Sequence, residues 1–227
     1  MKTPTASRPS AVCVVAFFLT LAFFAAPAFA QSTTPSPAAT AAAGKSGMPS
    51  EEEIMKQMME LAQLNENHKL LGTLAGTWDY TVKMWMSPDP KAAPTEAKGT
   101  AVRKPIMNGR YYIMETGGKM QMPGADGKMT DMDFEGRSID GYDNVKKKFV
   151  SSWIDNMGTG ILLSEGTYDA ATKTFTYRSE GEFMPGMPTK IREVIKVVDG
   201  DHHTFEWYDD ARGAEAKTME IHYTRKK

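Results

Sequence analysis

Two carboxylates, four histidines and a set of methionines are the side chains here with chemistry to offer. Glu193 stands between Ile191 and Ile195, and Glu165 follows Ile161 and Leu163. In an extended chain residues two apart share a face, so each carboxylate falls on an otherwise apolar side. That position is costly unless the carboxylate is paired or wet. It points to a polar feature in a cavity, with Arg178 or Arg110 as partner, or else to strand ends in solvent. Asp155 joins Glu165 and Glu193 as the pool for a general acid–base pair, a weak signal because carboxylates are common. The histidines are His68, His202, His203 and His222. His202 and His203 fall in a polar turn and read as solvated. His222 alternates with Ile221 and Tyr223 and so points away from the apolar side. No His-Glu-x-x-His or His-x-His zinc pattern occurs. "DMDFEG", Asp131 to Gly136, imitates a calcium loop, but position twelve is Tyr142 rather than glutamate.

Met120, Met122, Met129 and Met132 lie in a polar stretch, Gly117 to Asp131, the longest gap between strand-like runs and a candidate lid. Thioethers suit Cu(I), which opens a copper-handling reading; the plainer one is methionine as a flexible filler. No Gly-x-Ser-x-Gly elbow and no phosphate loop is present. The full chain carries 27 Lys and Arg against 28 Asp and Glu, a net charge of −1. The basic run Lys146 to Lys148 is too local for nucleic acid and suits a solvated hairpin end.

These side chains need elements to hold them. Residues 1–30 read as a secretory signal: Lys2 and Arg8, a short apolar run, then Ala28-Phe29-Ala30 before Gln31. The expected location is therefore periplasmic or secreted. Cys13 is the single cysteine and leaves with that signal, so the mature chain is expected to hold neither a disulfide nor a thiolate metal site. No later stretch is apolar enough to span a membrane as a helix. Residues 31–49 are rich in Ser, Thr, Pro and Ala and predict a disordered linker. Residues 50–64 predict an amphipathic helix, with a Ser50/Glu53 capping box and Ile54, Met58 and Leu61 at helical spacing. A short helical plug follows from His68.

After Gly76 the period becomes two. Trp78, Tyr80, Val82, Met84 and Met86 share one side. About ten such runs follow to residue 225, separated by turns, three of them opened by Asp143, Asp169 and Asp199. Hairpin-joined strands are antiparallel, and ten of them close to remove their edges. The fold class is all-β: an antiparallel up-and-down barrel over residues 65–227, with an N-terminal helix and plug. The lumen side carries Trp78, Tyr80, Met84, Leu163, Glu165, Glu193, Trp207 and Tyr223. A barrel of this size holds one small ligand or fills its own core.

Gly76-Thr77-Trp78 at the first strand resembles the lipocalin and calycin group. The longer pattern, "HKLLGTLAGTWDY", "GRSIDGYDNVKKKFVSSWIDNMGTGILLSEGTYD" and the ending "IHYTRK", resembles the bacterial family named domain of unknown function 1579. The resemblance implies a lipocalin-like barrel and carries no established activity or catalytic residue. Barrels of the nitrobindin type, similar in shape, hold haem through one histidine; His222 and His68 are the positions for it here. The leading expectation is a non-enzymatic, exported barrel that binds a small apolar molecule. Copper or haem binding and a filled, partner-binding barrel are the alternatives, and no feature of the sequence sets the oligomeric state.

Overall fold

Gly76 turns the chain from helix into sheet at a φ of 137°. A Cβ at this position would lie 2.2 Å from the Arg225 guanidinium, so both the backbone angle and the close approach call for glycine. The computed structural model describes residues 48–87, 91–124, 126, 128–210, 213 and 216–227. The expected signal and most of the expected linker lie outside these.

Ten strands follow Gly76. They are β1 (Gly76–Met84), β2 (Thr95–Ile106), β3 (Tyr111–Pro123), β4 (Met129–Asp143), β5 (Lys148–Asp155), β6 (Leu162–Asp169), β7 (Thr174–Met184), β8 (Met187–Val197), β9 (His202–Asp209) and β10 (Ala216–Arg225). Each pairs antiparallel with the next, and β10 returns to β1 with Tyr223 opposite Tyr80. The sheet is a closed up-and-down barrel, lipocalin-like as expected, in which each of the ten strands is paired on both sides. Asp143, Asp169 and Asp199 open their hairpins as their positions predict. Each carboxylate accepts a hydrogen bond at 2.8 Å from the backbone N–H two residues on.

Helix α1 (Glu51–Leu61) starts on the Ser50/Glu53 capping box. It buries no residue. Its far end is tied to the barrel by polar contacts: Asn144 Nδ2 donates to the Leu61 and Gln63 carbonyls at 2.7 Å, and Arg110 donates to the Ala62 carbonyl. Helix α2 (Glu66–Leu71) and the 3-10 turn Gly72–Leu74 form the plug. Leu71 and Leu74 are buried against Tyr112, Phe149, Phe175 and Tyr177. Each such apolar side chain contributes about 1.5–3 kcal/mol on burial. Trp78 seals the junction by donating its Nε1–H to the Leu74 carbonyl at 3.0 Å. The Arg225 guanidinium lies 4.1 Å from its ring centroid.

One expectation is overturned. Most of the stretch expected as a lid, Gly117 to Asp131, is sheet. It continues β3 and β4, from Gly117 opposite Glu135 to Pro123 opposite Met129. The two glycines break the apolar pattern, but exposed Lys119 and Gln121 alternate with Met120 and Met122 on the inner face.

Candidate functional site

The plug closes one end of the barrel only. Beyond it lies a cavity of about 1020 Å³. Met157 and Ile161 border it and are 51% and 67% exposed, so the cavity reaches solvent at the opposite end. Period two sends alternate residues of every strand inward. Val82 and Met84 of β1, Phe205 and Trp207 of β9, and Met219 and Ile221 of β10 make an apolar wall.

The floor is different. Arg103 of β2 meets Asp140 of β4 at 3.2 Å, with side chains only 9% and 6% exposed. Asp140 also accepts hydrogen bonds from Ser138 at 2.9 Å and from Ser151 at 2.7 Å. Such full satisfaction is what allows a charge pair to persist inside a barrel. Glu193 of β8 accepts a 2.6 Å bond from Ser164 of β6. Burial raises its pKa, the nearby Asp140 charge adds to the rise, and the Ser164 hydroxyl opposes it. Glu193 keeps intermediate exposure because it faces the cavity while the walls shut out bulk water.

His203 begins β9. Its ring stacks on Tyr223 at 4.4 Å and 8° and stands edge-on to Trp78 at 4.3 Å. Burial first, then the charges of Arg103 and Arg225, lower its pKa to about 3, so it is neutral at ordinary pH. Its Nδ1 has no hydrogen-bond partner among the described residues. Burial raises the pKa of Tyr80, Tyr177 and Tyr223, which all border the cavity as neutral phenols.

The expected lumen residues divide. Tyr80, Met84, Glu193, Trp207 and Tyr223 border the cavity together, and Trp78 is buried beneath it. Leu163 and Glu165 do not. Leu162, Ser164 and Gly166 take the inner phase of β6, leaving Leu163 69% exposed and Glu165 on the outside paired with Lys146 at 2.5 Å. The expected Arg110 pairing is replaced by the contact with α1. The methionines of the β3–β4 hairpin also divide. Met120 and Met122 border the cavity, Met132 is half-buried opposite Met120, and Met129 is 45% exposed.

Neither histidine suggested for haem borders the cavity. His68 is buried in the plug, bonded to Asn65 and edge-on to Tyr142. Its pKa is lowered, mainly by burial. His222 points outward and pairs with Glu220. No cluster of three or more His, Cys, Asp or Glu able to hold a metal occurs among the described residues.

The family model described as protein of unknown function (DUF1579) matches residues 63–225. The chain belongs to the DUF1579 family. No curated protein matches it. The matched span begins after α1 and takes in the plug and all ten strands, so α1 lies outside the DUF1579 unit.

Within that DUF1579 barrel, sequence reasoning missed Arg103, Asp140, Ser164 and His203. One signal for His203 was present: it stands two and four residues before Phe205 and Trp207, so period two carries it inward rather than into the turn. Arg103 follows Ala101 and Asp140 follows Ser138 on the same rule. A polar inward face is hard to tell from a solvated outer one by pattern alone.

Proposed function

We propose that this barrel is an exported, non-enzymatic carrier of one small, mostly apolar molecule held in its lumen. The observation that carries the reading is the cavity of about 1020 Å³, apolar along its wall and polar at its floor. Ligand sites of drug-sized molecules span roughly 300–1,000 Å³ and combine apolar lining with a few convergent polar groups. A barrel stabilised only by a filled core has no need of that volume. Export is supported by the signal-like first thirty residues and by a single cysteine placed within them.

The test is a native mass spectrum of the protein isolated gently from the export compartment of its own host. A single added organic mass that leaves on denaturation is the expected result, and it identifies the cargo. A bare chain mass, under conditions that preserve a weak complex of known affinity, overturns the carrier reading. Recovery from the cytoplasm with residues 1–30 still attached overturns the export reading.

A further inference from the structure

The carrier reading leaves the cargo's polar end unspecified, and the charges around the cavity narrow it. Arg103 is the only arginine or lysine bordering the cavity among the described residues. It is already engaged by Asp140 at 3.2 Å. Glu193 lies at the same floor, held by one neutral donor, Ser164. Asp155 and Asp209, both half-buried, border the cavity nearer its mouth. Each of these two is oriented by neutral donors: Asp155 by the Trp153 indole and Asp209 by the Thr218 hydroxyl. The lumen therefore carries a surplus of carboxylates from mouth to floor.

A carboxylate in such surroundings is stabilised when a cation enters beside it. His203 takes no part in this: its Nδ1 is buried, its ring is held between Tyr223 and Trp78, and the Arg103 and Arg225 charges already disfavour a cation there.

Resting on the carrier reading, we propose that the cavity selects an amphipathic cation: a protonated alkyl- or arylalkylamine whose ammonium group sits beside the Glu193 carboxylate. Its apolar body lies along Phe205, Trp207 and Met219. The charge distribution separates this class from its competitors. A fatty-acid carboxylate would enter beside Asp140 and Glu193 with Arg103 already committed. An alcohol would fill the same volume but leave the Glu193 charge uncompensated. Acidic groups at the mouth raise the local concentration of a cation and not of an anion.

The experiment is displacement of the neutral fluorescent probe N-phenyl-1-naphthylamine from the purified protein at pH 7. The competitors are decylammonium, decanoate and decanol, which share one chain and differ in head group. Decylammonium is expected to displace the probe at about tenfold lower concentration than decanol, with decanoate weakest. Glu193→Gln keeps the acceptor for Ser164 and is expected to erase the ammonium preference. Equal displacement by all three, or preference for decanoate, overturns the head-group assignment while leaving the carrier reading intact. An ammonium preference that survives in E193Q removes Glu193 from the site. Failure of the probe and of every competitor to bind defeats the carrier reading itself.

Discussion

Arg103 and Asp140 meet at 3.2 Å inside the barrel, reaching over β3 from the strands on either side of it. The pair spans two sheet neighbours and is walled off from solvent, so its partners depend on each other. Removing one side of a buried pair strands the other charge. Asp140→Ala should cost about 3–5 kcal/mol in urea denaturation, whereas Arg103→Met combined with Asp140→Leu should recover most of that loss. A single-variant loss below about 1 kcal/mol would mean that water reaches the pair.

His203 makes stability depend on acid. Its pKa is about 3 when folded and about 6.5 when unfolded, so below 6.5 the unfolded chain binds the extra proton. The contribution of neutral His203 is complete above that value and falls as pH drops toward 3. The slope is at most about 1.4 kcal/mol per pH unit. His203→Phe preserves a ring between Trp78 and Tyr223 and should flatten the stability profile between pH 6 and 3. Parallel profiles for the two proteins would show that His203 is already solvated.

Glu193 has the opposite sign. Its folded pKa is raised, mainly by burial, so its contribution is present below the unfolded value and is lost as pH rises through the folded one. Glu193→Gln should therefore raise Tm by a few degrees at pH 7, and the gap should close near pH 4. Differential scanning calorimetry at the two pH values reads this directly; an E193Q protein less stable than the parent at pH 7 contradicts it. A carboxylate kept at such a cost is what a ligand site leads one to expect.

Gly76, Trp78 and Arg225 act as one joint. Arg225 donates to the Ala75 carbonyl at 2.7 Å while covering the Trp78 ring. Gly76→Ala should cost about 1–3 kcal/mol through its positive φ and through displacement of that guanidinium. Arg225→Ala combined with it should cost less than the sum of the two, because both disturb one contact. Additive losses in chemical denaturation would separate the glycine's role from the arginine's.

The barrel was legible because local rules agreed along the chain. The alternation from Trp78 to Met84, the capping box at Ser50 and the three turn-opening aspartates all point to the same fold. The site was legible in part. "ILLSEG" places a leucine in either phase, Leu162 or Leu163, so pattern alone could not choose which side of β6 faces in. Arg103, Asp140 and His203 were missed for a related reason. Hydrophobic periodicity assigns polar residues to solvent, and a ligand cavity is where polar residues turn inward. The β3–β4 hairpin was missed because Gly117, Gly118 and the methionines carry a weak strand signal, although long-range pairing holds them as sheet.

The central claim is that the lumen, not the outer surface, takes up an apolar molecule. The outside offers real competition: Met55 and Met59 on α1, and Leu163 on β6, are all more than half exposed. Photolabelling with a small apolar diazirine, mapped by peptide mass spectrometry, distinguishes the two. The account predicts saturable labelling with one probe per chain at Met84, Phe205, Trp207 and Met219. Labelling that does not saturate, or that falls on Met55, Met59 and Leu163 while sparing those four, would contradict it.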